Sequence, residues 1–178
     1  MTAIAHETAP RPTAPWVVPG SYTVSLTTGG KTSTQPLEVK MDPRVSASSA
    51  DLAQKFQLSQ SLYELRRQLL PIGKKYGELV TALEKAKVAA TDKSALEKIE
   101  DFHAKLAELA NPAAVRSGQP LEFDLLSKTQ TLFGGLQQVD AAPTPEQKAA
   151  AADLQKNAPG IIARWKEISE KAAPLKLP

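Results

Sequence analysis

The chain has 178 residues, enough for one domain or for a small β piece beside a helical one. Its formal charge of +3 comes from 22 basic and 19 acidic residues that interleave, which gives no basic stripe of the kind nucleic-acid binding needs. With no cysteine, disulfides, thiolate nucleophiles and Cys-ligated zinc are all excluded, and no apolar run is long enough to span a bilayer.

Met1 to Gly20 lacks the charged-then-apolar layout of a signal peptide and carries Pro10, Pro12, Pro15 and Pro19. Residues 1–15 therefore read as an extended, disordered linker. From Ser21 the pattern alternates, with Tyr22, Val24 and Leu26 on one face and Ser21, Thr23, Ser25 and Thr27 on the other, as in a half-buried strand. Gly29-Gly30 supplies the positive φ values of a tight hairpin turn. The return strand sets Leu37, Val39 and Met41 against Glu38 and Lys40, and Pro36 marks an edge or a bulge. Residues 16–45 thus form a β-hairpin unit. A lone hairpin is marginal in water, so its apolar face needs a partner layer. Either it packs on the helices that follow, near Leu52 and Phe56, or it ends a sandwich whose other strands lie outside this chain.

After Asp42-Pro43-Arg44 the period changes to that of helices, and residues 46–173 read as a bundle. Ser48 or Ser49 caps a first helix with Asp51 in its first turn. Its seam runs Leu58, Leu62, Leu65, Leu69, Ile72, Tyr76, Leu79, Leu83, Ala86, a heptad pattern that keeps its phase across Pro71 and predicts one long, kinked helix. Thr91 or Asp92 caps a second helix with Ala95, Ile99, Phe102, Leu106 and Leu109 on its seam, ended by Asn111-Pro112. A loop through Gly118 and Pro120 leads to a third, with Leu125, Thr129, Leu132, Leu136 and Val139, where Gly134-Gly135 offers room for a close helix approach. The spacing Thr144-Pro145-Glu146-Gln147 predicts a capping box opening a fourth helix, with Trp165 in its seam and a kink or break at Pro159-Gly160. Residues 174–178 form a frayed tail. The fold class is mainly α: an antiparallel bundle of about four helices preceded by a β-hairpin.

No residues assemble into a catalytic site. His6 lies in the linker and His103 stands without a second His or Cys, which argues against a metal centre. No nucleophile elbow, phosphate loop or dinucleotide fingerprint is present, so neither a cofactor nor an enzyme activity is expected. The residues singled out as an interface are Trp16, Tyr22, Val24, Leu37, Val39 and Arg44. Asp42 and Arg44 pair locally at the turn, or Arg44 clamps the hairpin onto the bundle or onto a preceding domain.

The run from Pro15-Trp16-Val17-Val18-Pro19-Gly20-Ser21-Tyr22 through Gly29-Gly30-Lys31 and Gln35-Pro36-Leu37 to Lys40-Met41-Asp42-Pro43-Arg44-Val45 resembles the C-terminal region of large secreted bacterial proteins. Those proteins carry BNR (Asp-box) repeat β-propellers of the sortilin/glycosidase-like type. The resemblance implies that the strand pair closes an immunoglobulin-like domain similar to that of the flagellar hook-capping protein, with a helical tail behind it. It implies a non-catalytic accessory module of an exported, extracytoplasmic parent, with the preceding domains of that polypeptide as its partner. The propeller repeats are absent here, so no hydrolase or receptor activity carries over. The alternative is a stand-alone helical protein that dimerises or binds a partner through the long heptad seam. No nucleic-acid partner is expected, and the sequence sets no oligomeric state.

Overall fold

A computed structural model describes residues 13–109 and 123–172. Two antiparallel strands, β1 (Gly20–Thr28) and β2 (Lys31–Val39), precede four helices. These are α1 (Ser49–Ala89), α2 (Lys93–Ala107), α3 (Asp124–Leu136) and α4 (Pro145–Ala172).

The helix starts are set by local chemistry. Ser48 caps α1 and forms a capping box with Asp51: the Asp51 N–H donates to Ser48 Oγ, and the Ser48 N–H donates to the Asp51 carboxylate. Asp92 caps α2 through the Ala95 N–H. Thr144 and Gln147 form the reciprocal pair at the start of α4, at 2.9 and 3.2 Å. Asn111-Pro112, Gly118, Pro120 and the tail from Pro174 lie outside the described residues.

α1 continues through Pro71 as one helix, as its unbroken seam predicts. α4 likewise continues through Pro159-Gly160, so of the kink or break expected there the break does not occur. A proline removes one backbone bond and crowds the turn before it. In α4 the burial of Ala151, Leu154, Ala158 and Trp165 on both sides of Pro159 outweighs that local cost.

Among the described residues the bundle has four helices but is three deep in cross-section. The partners of α1 in chain order show why. Lys87 meets Glu100, Glu84 meets His103, and Tyr76 meets the Leu106 carbonyl. Further back, Gly73 approaches Leu126, Tyr63 meets Phe133, and Ser59 meets Gln137. As positions on α1 fall, positions on its partners rise, so α2 and α3 both run antiparallel to α1 and lie end to end along it. α4 returns alongside, with Lys148 at Gln54 and Trp165 against Tyr76, parallel to α1. At about 1.5 Å per residue α1 is roughly 60 Å long, and the two shorter helices in line, about 42 Å together, cover about two thirds of it.

The core is aliphatic with an aromatic centre. Leu62, Leu69, Tyr76, Leu83 and Leu106 are almost fully buried, and Tyr76 packs against Phe123 and Trp165. The heptad seam of α1 is therefore covered by the chain's own helices. In α3 the buried aromatic is Phe133, with Leu132 only half-buried, and Val139 lies past the helix end and is exposed. Leu125, Thr129 and Leu136 are buried as the seam predicts, and Thr129 donates its hydroxyl to the Leu125 carbonyl at 2.7 Å.

The close helix approach lies at Gly73 and not at Gly134-Gly135. A methyl at Gly73 would come within 2.4 Å of Leu126 Cδ2, whereas Cβ atoms at Gly77, Gly134 and Gly135 would meet nothing within 4 Å. Gly77→Ala is expected to raise stability by about 1 kcal/mol through helix propensity alone. Gly73→Ala should gain less or lose, because Leu126 must move. Urea unfolding of the two variants measures the difference.

Candidate interaction site at the hairpin

The hairpin turns on Gly29 (φ 54°) and Gly30 (φ 74°), both in the left-handed region that a two-residue type I′ turn requires. The ladder runs without a bulge from Thr28↔Lys31 to Gly20↔Val39. Pairing Thr28 with Lys31 across a two-residue turn makes theirs a hydrogen-bonded pair, and the type alternates from there. Thr23↔Pro36 then falls on a pair whose backbone groups point away from the partner strand, so Pro36 costs the ladder nothing. The Thr27 and Thr32 hydroxyls, 2.9 Å apart, fit the close side-chain approach of such a pair.

One face carries Tyr22, Val24 and Leu26 on β1 with Leu37 and Val39 on β2, as the alternation predicts. Among the described residues nothing covers its outer part: Val24 is 52% exposed, Leu26 66% and Leu37 48%. The opposite face is built largely of hydroxyls. Tyr22 is half-buried and donates its hydroxyl to the Val18 carbonyl at 2.6 Å, and Val39 is half-buried at the base.

Of the two partner layers open to this face, the helices near Leu52 and Phe56 do not cover its outer part. Those residues receive the chain before and after the hairpin instead: Trp16 to Pro19 and Met41 line a crevice with Leu52, Lys55, Phe56 and Ser59. The segment entering the hairpin is strapped to the bundle. Arg66 donates to the Thr13 carbonyl at 3.0 Å, and the Trp16 N–H donates to Gln137 Oε1 at 2.9 Å. Thr13 to Pro15, placed in a disordered linker by composition, are thus held, while residues 1–12 lie outside the described residues.

Gln137 joins strap and bundle with one amide. Its oxygen accepts from Trp16, and its nitrogen donates to Ser59 Oγ at 2.7 Å, with both side chains nearly fully buried. Beside it Lys55, 6% exposed, pairs with Asp140 at 2.8 Å. A buried polar group without a partner costs stability, and here each has one. Sequence reading missed this cluster. Its signal was that Lys55 and Ser59 occupy core-facing positions at helical spacing between Leu52 and Leu62.

Among the described residues Arg44 does not clamp the hairpin onto the bundle. Its guanidinium pairs locally with Asp42 at 2.6 Å and is 88% exposed. That bond and the Arg44 N–H hold the Asp42 carboxyl below the usual carboxylate range. The Trp16 side chain is 55% exposed although its backbone is bound. Trp16, Tyr22, Val24, Leu37 and Val39 thus gather at the hairpin and its strap, with Arg44 apart on the exit turn.

Elsewhere, a groove of about 760 Å³ between α1, α2 and α4 has Leu83 and Ile99 in its floor. Its rim holds three acid–base pairs: His103–Glu84 at 3.1 Å, Lys87–Glu100 at 3.2 Å, and Arg164–Glu108. Each of these side chains has its partner within the rim. Among the described residues no group of three or more His, Asp or Glu is placed to hold a metal, and no helix is long and apolar enough to cross a membrane.

Burial pushes the Tyr76 phenol up to about 12. The neutral phenol is the form the core accepts, so its stabilising effect is whole below the ordinary tyrosine value near 10 and is lost as pH rises toward 12. An ultraviolet titration should show one of the three tyrosines ionising late, and Tyr76→Phe should abolish that phase.

Comparison of the chain with protein-family models, with curated proteins and with solved structures finds no match in any of the three.

Proposed function

We propose that this chain is a non-catalytic interaction module, the C-terminal part of a larger exported β-propeller protein, and that its hairpin packs against a further β layer of that polypeptide. The observation that carries this reading is the outer apolar face of the hairpin. Val24, Leu26 and Leu37 stand open while the apolar seams of the helices are closed on one another. A two-stranded sheet with one apolar face is not a stable end state in water, and the natural complement is a second sheet about 10 Å away. The strap and the buried Gln137 cluster support the reading by fixing how the hairpin leaves the bundle. The resemblance of residues 15–45 to the closing strands of an immunoglobulin-like domain supports it independently of the geometry. Association through the α1 seam is disfavoured, because Leu62, Leu69 and Leu83 would have to leave the core first.

A photoreactive side chain at Leu26, incorporated in the source cell, tests this directly. Cross-links to a segment outside these 178 residues, within the same polypeptide, are the expected result. Cross-links confined to α1–α4 would overturn it.

A further inference from the structure

The two edges of the hairpin are not equivalent. Counting pairs from the Thr28↔Lys31 turn, the backbone groups of Ser21, Thr23, Ser25 and Thr27 point outward from β1, and those of Thr32, Thr34, Pro36 and Glu38 point outward from β2. The β2 edge is guarded in two ways that proteins use against strand addition: Pro36 removes an outward N–H, and Glu38 sets a charge beside it. The β1 edge has neither. Gly20 to Thr28 holds no proline, no charge and no bulge, and Ser21 and Thr23 to Thr28 are all exposed. Among the described residues no strand other than β2 pairs with it.

The composition of β1 is symmetric about Val24. Outward along the strand come Thr23 and Ser25, both hydroxyls; Tyr22 and Leu26, both apolar; and Ser21 and Thr27, both hydroxyls again. An antiparallel copy centred on Val24 therefore sets apolar beside apolar on one face and hydroxyl beside hydroxyl on the other. The backbone parity agrees. In that register Thr23 faces Ser25 and Ser21 faces Thr27, so all four residues with outward groups fall on hydrogen-bonded pairs, while Val24 meets Val24 on the intervening close pair.

The geometry points to β1 as a strand-addition edge whose occupant is β1 of a second copy of this chain, antiparallel, with Val24 opposite Val24. The product is a two-fold, four-stranded sheet in the order β2–β1–β1–β2. A single nine-residue strand pair falls below the area of a standard stable interface, so the association is weak and reversible. It concerns the edge of the sheet, whereas the packing proposed above concerns its face, so either can fail alone.

Sedimentation velocity on the intact chain, from micromolar to millimolar concentration, should show a monomer–dimer equilibrium. Ser25→Pro removes an outward N–H from each copy of β1 and leaves the ladder to β2 intact; it should weaken association by about thirtyfold, the effect of roughly two hydrogen bonds, one lost from each copy. Thr34→Pro, the matching change on β2, should leave association unchanged. The chain has no cysteine, so single thiols can be placed on a clean background. Under mild oxidation Val24→Cys should form a disulfide-linked dimer much faster than Leu26→Cys, whose sulfur would face Tyr22 of the other copy. A chain that stays monomeric throughout, or equal effects of the two prolines together with equal oxidation of the two thiols, would overturn the inference.

Discussion

Replacing Trp165 by alanine should lower the unfolding free energy by about 4 kcal/mol, in the range found for emptying a large aromatic site. Trp165 is 6% exposed and its ring centroid lies 6.1 Å from that of Tyr76, whose other neighbour is Phe123 at 5.7 Å. Tyr76 also reaches the Leu106 carbonyl at 3.4 Å. The loss of one indole therefore falls where α4, the middle of α1, the end of α2 and the start of α3 converge. Guanidinium unfolding followed by circular dichroism measures the cost. The variant keeps Trp16 as its sole tryptophan, so fluorescence then reports on the strap alone. A loss below about 1 kcal/mol would mean that this junction is not the centre of the core.

Asp140→Ala should cost about 3 kcal/mol, although Asp140 itself is half-exposed. The reason lies with its partner. The Lys55 ammonium is buried with the Asp140 carboxylate as its salt-bridge partner, and removing that carboxylate leaves a buried charge without its counter-ion in the crevice beside Leu52 and Phe56. Removing both charges tests the cause. Lys55→Met combined with Asp140→Ala should recover most of the loss, since a methionine chain fills the same volume without a charge to compensate. The single variant should also loosen the strap, seen as faster hydrogen exchange of the Trp16 amide, because Lys55 and Gln137 line one crevice. If the double variant is no more stable than the single one, the charge is not the source of the cost.

Much of the architecture was legible in the residues. The heptad spacing of α1 survives Pro71 because every third and fourth residue on one side is apolar, and that is the face its neighbours cover. Ser48, Asp92 and Thr144 mark helix starts because their side chains can bond the free N–H groups of the first turn. The alternation about Gly29-Gly30 gave the hairpin and its register. Three features were not legible. Pro159-Gly160 reads as a break locally, yet the packing of Ala158 and Trp165 holds the helix. The end-to-end placement of α2 and α3 depends on a connection whose length alone does not choose between lying beside and lying in line. The polar cluster of Lys55, Ser59, Gln137 and Asp140 joins residues about 80 positions apart, from 78 to 85, and no local pattern pairs them.

The face of the hairpin illustrates the same division. Its alternation was plain in the sequence, but whether the helices would cover it was not. Leu52 and Phe56 offer an apolar surface, and the strap from Trp16 to Pro19 takes it before the hairpin can. With that surface taken, Val24, Leu26 and Leu37 stand open.

The most direct test that these residues serve as the docking end of a larger exported protein is the intact mass of the polypeptide that carries them, taken from its native cell. The expected result is a mass far above the 19.1 kDa of this chain. A mass near 19.1 kDa would contradict it, and would leave the hairpin face to a separate protein partner.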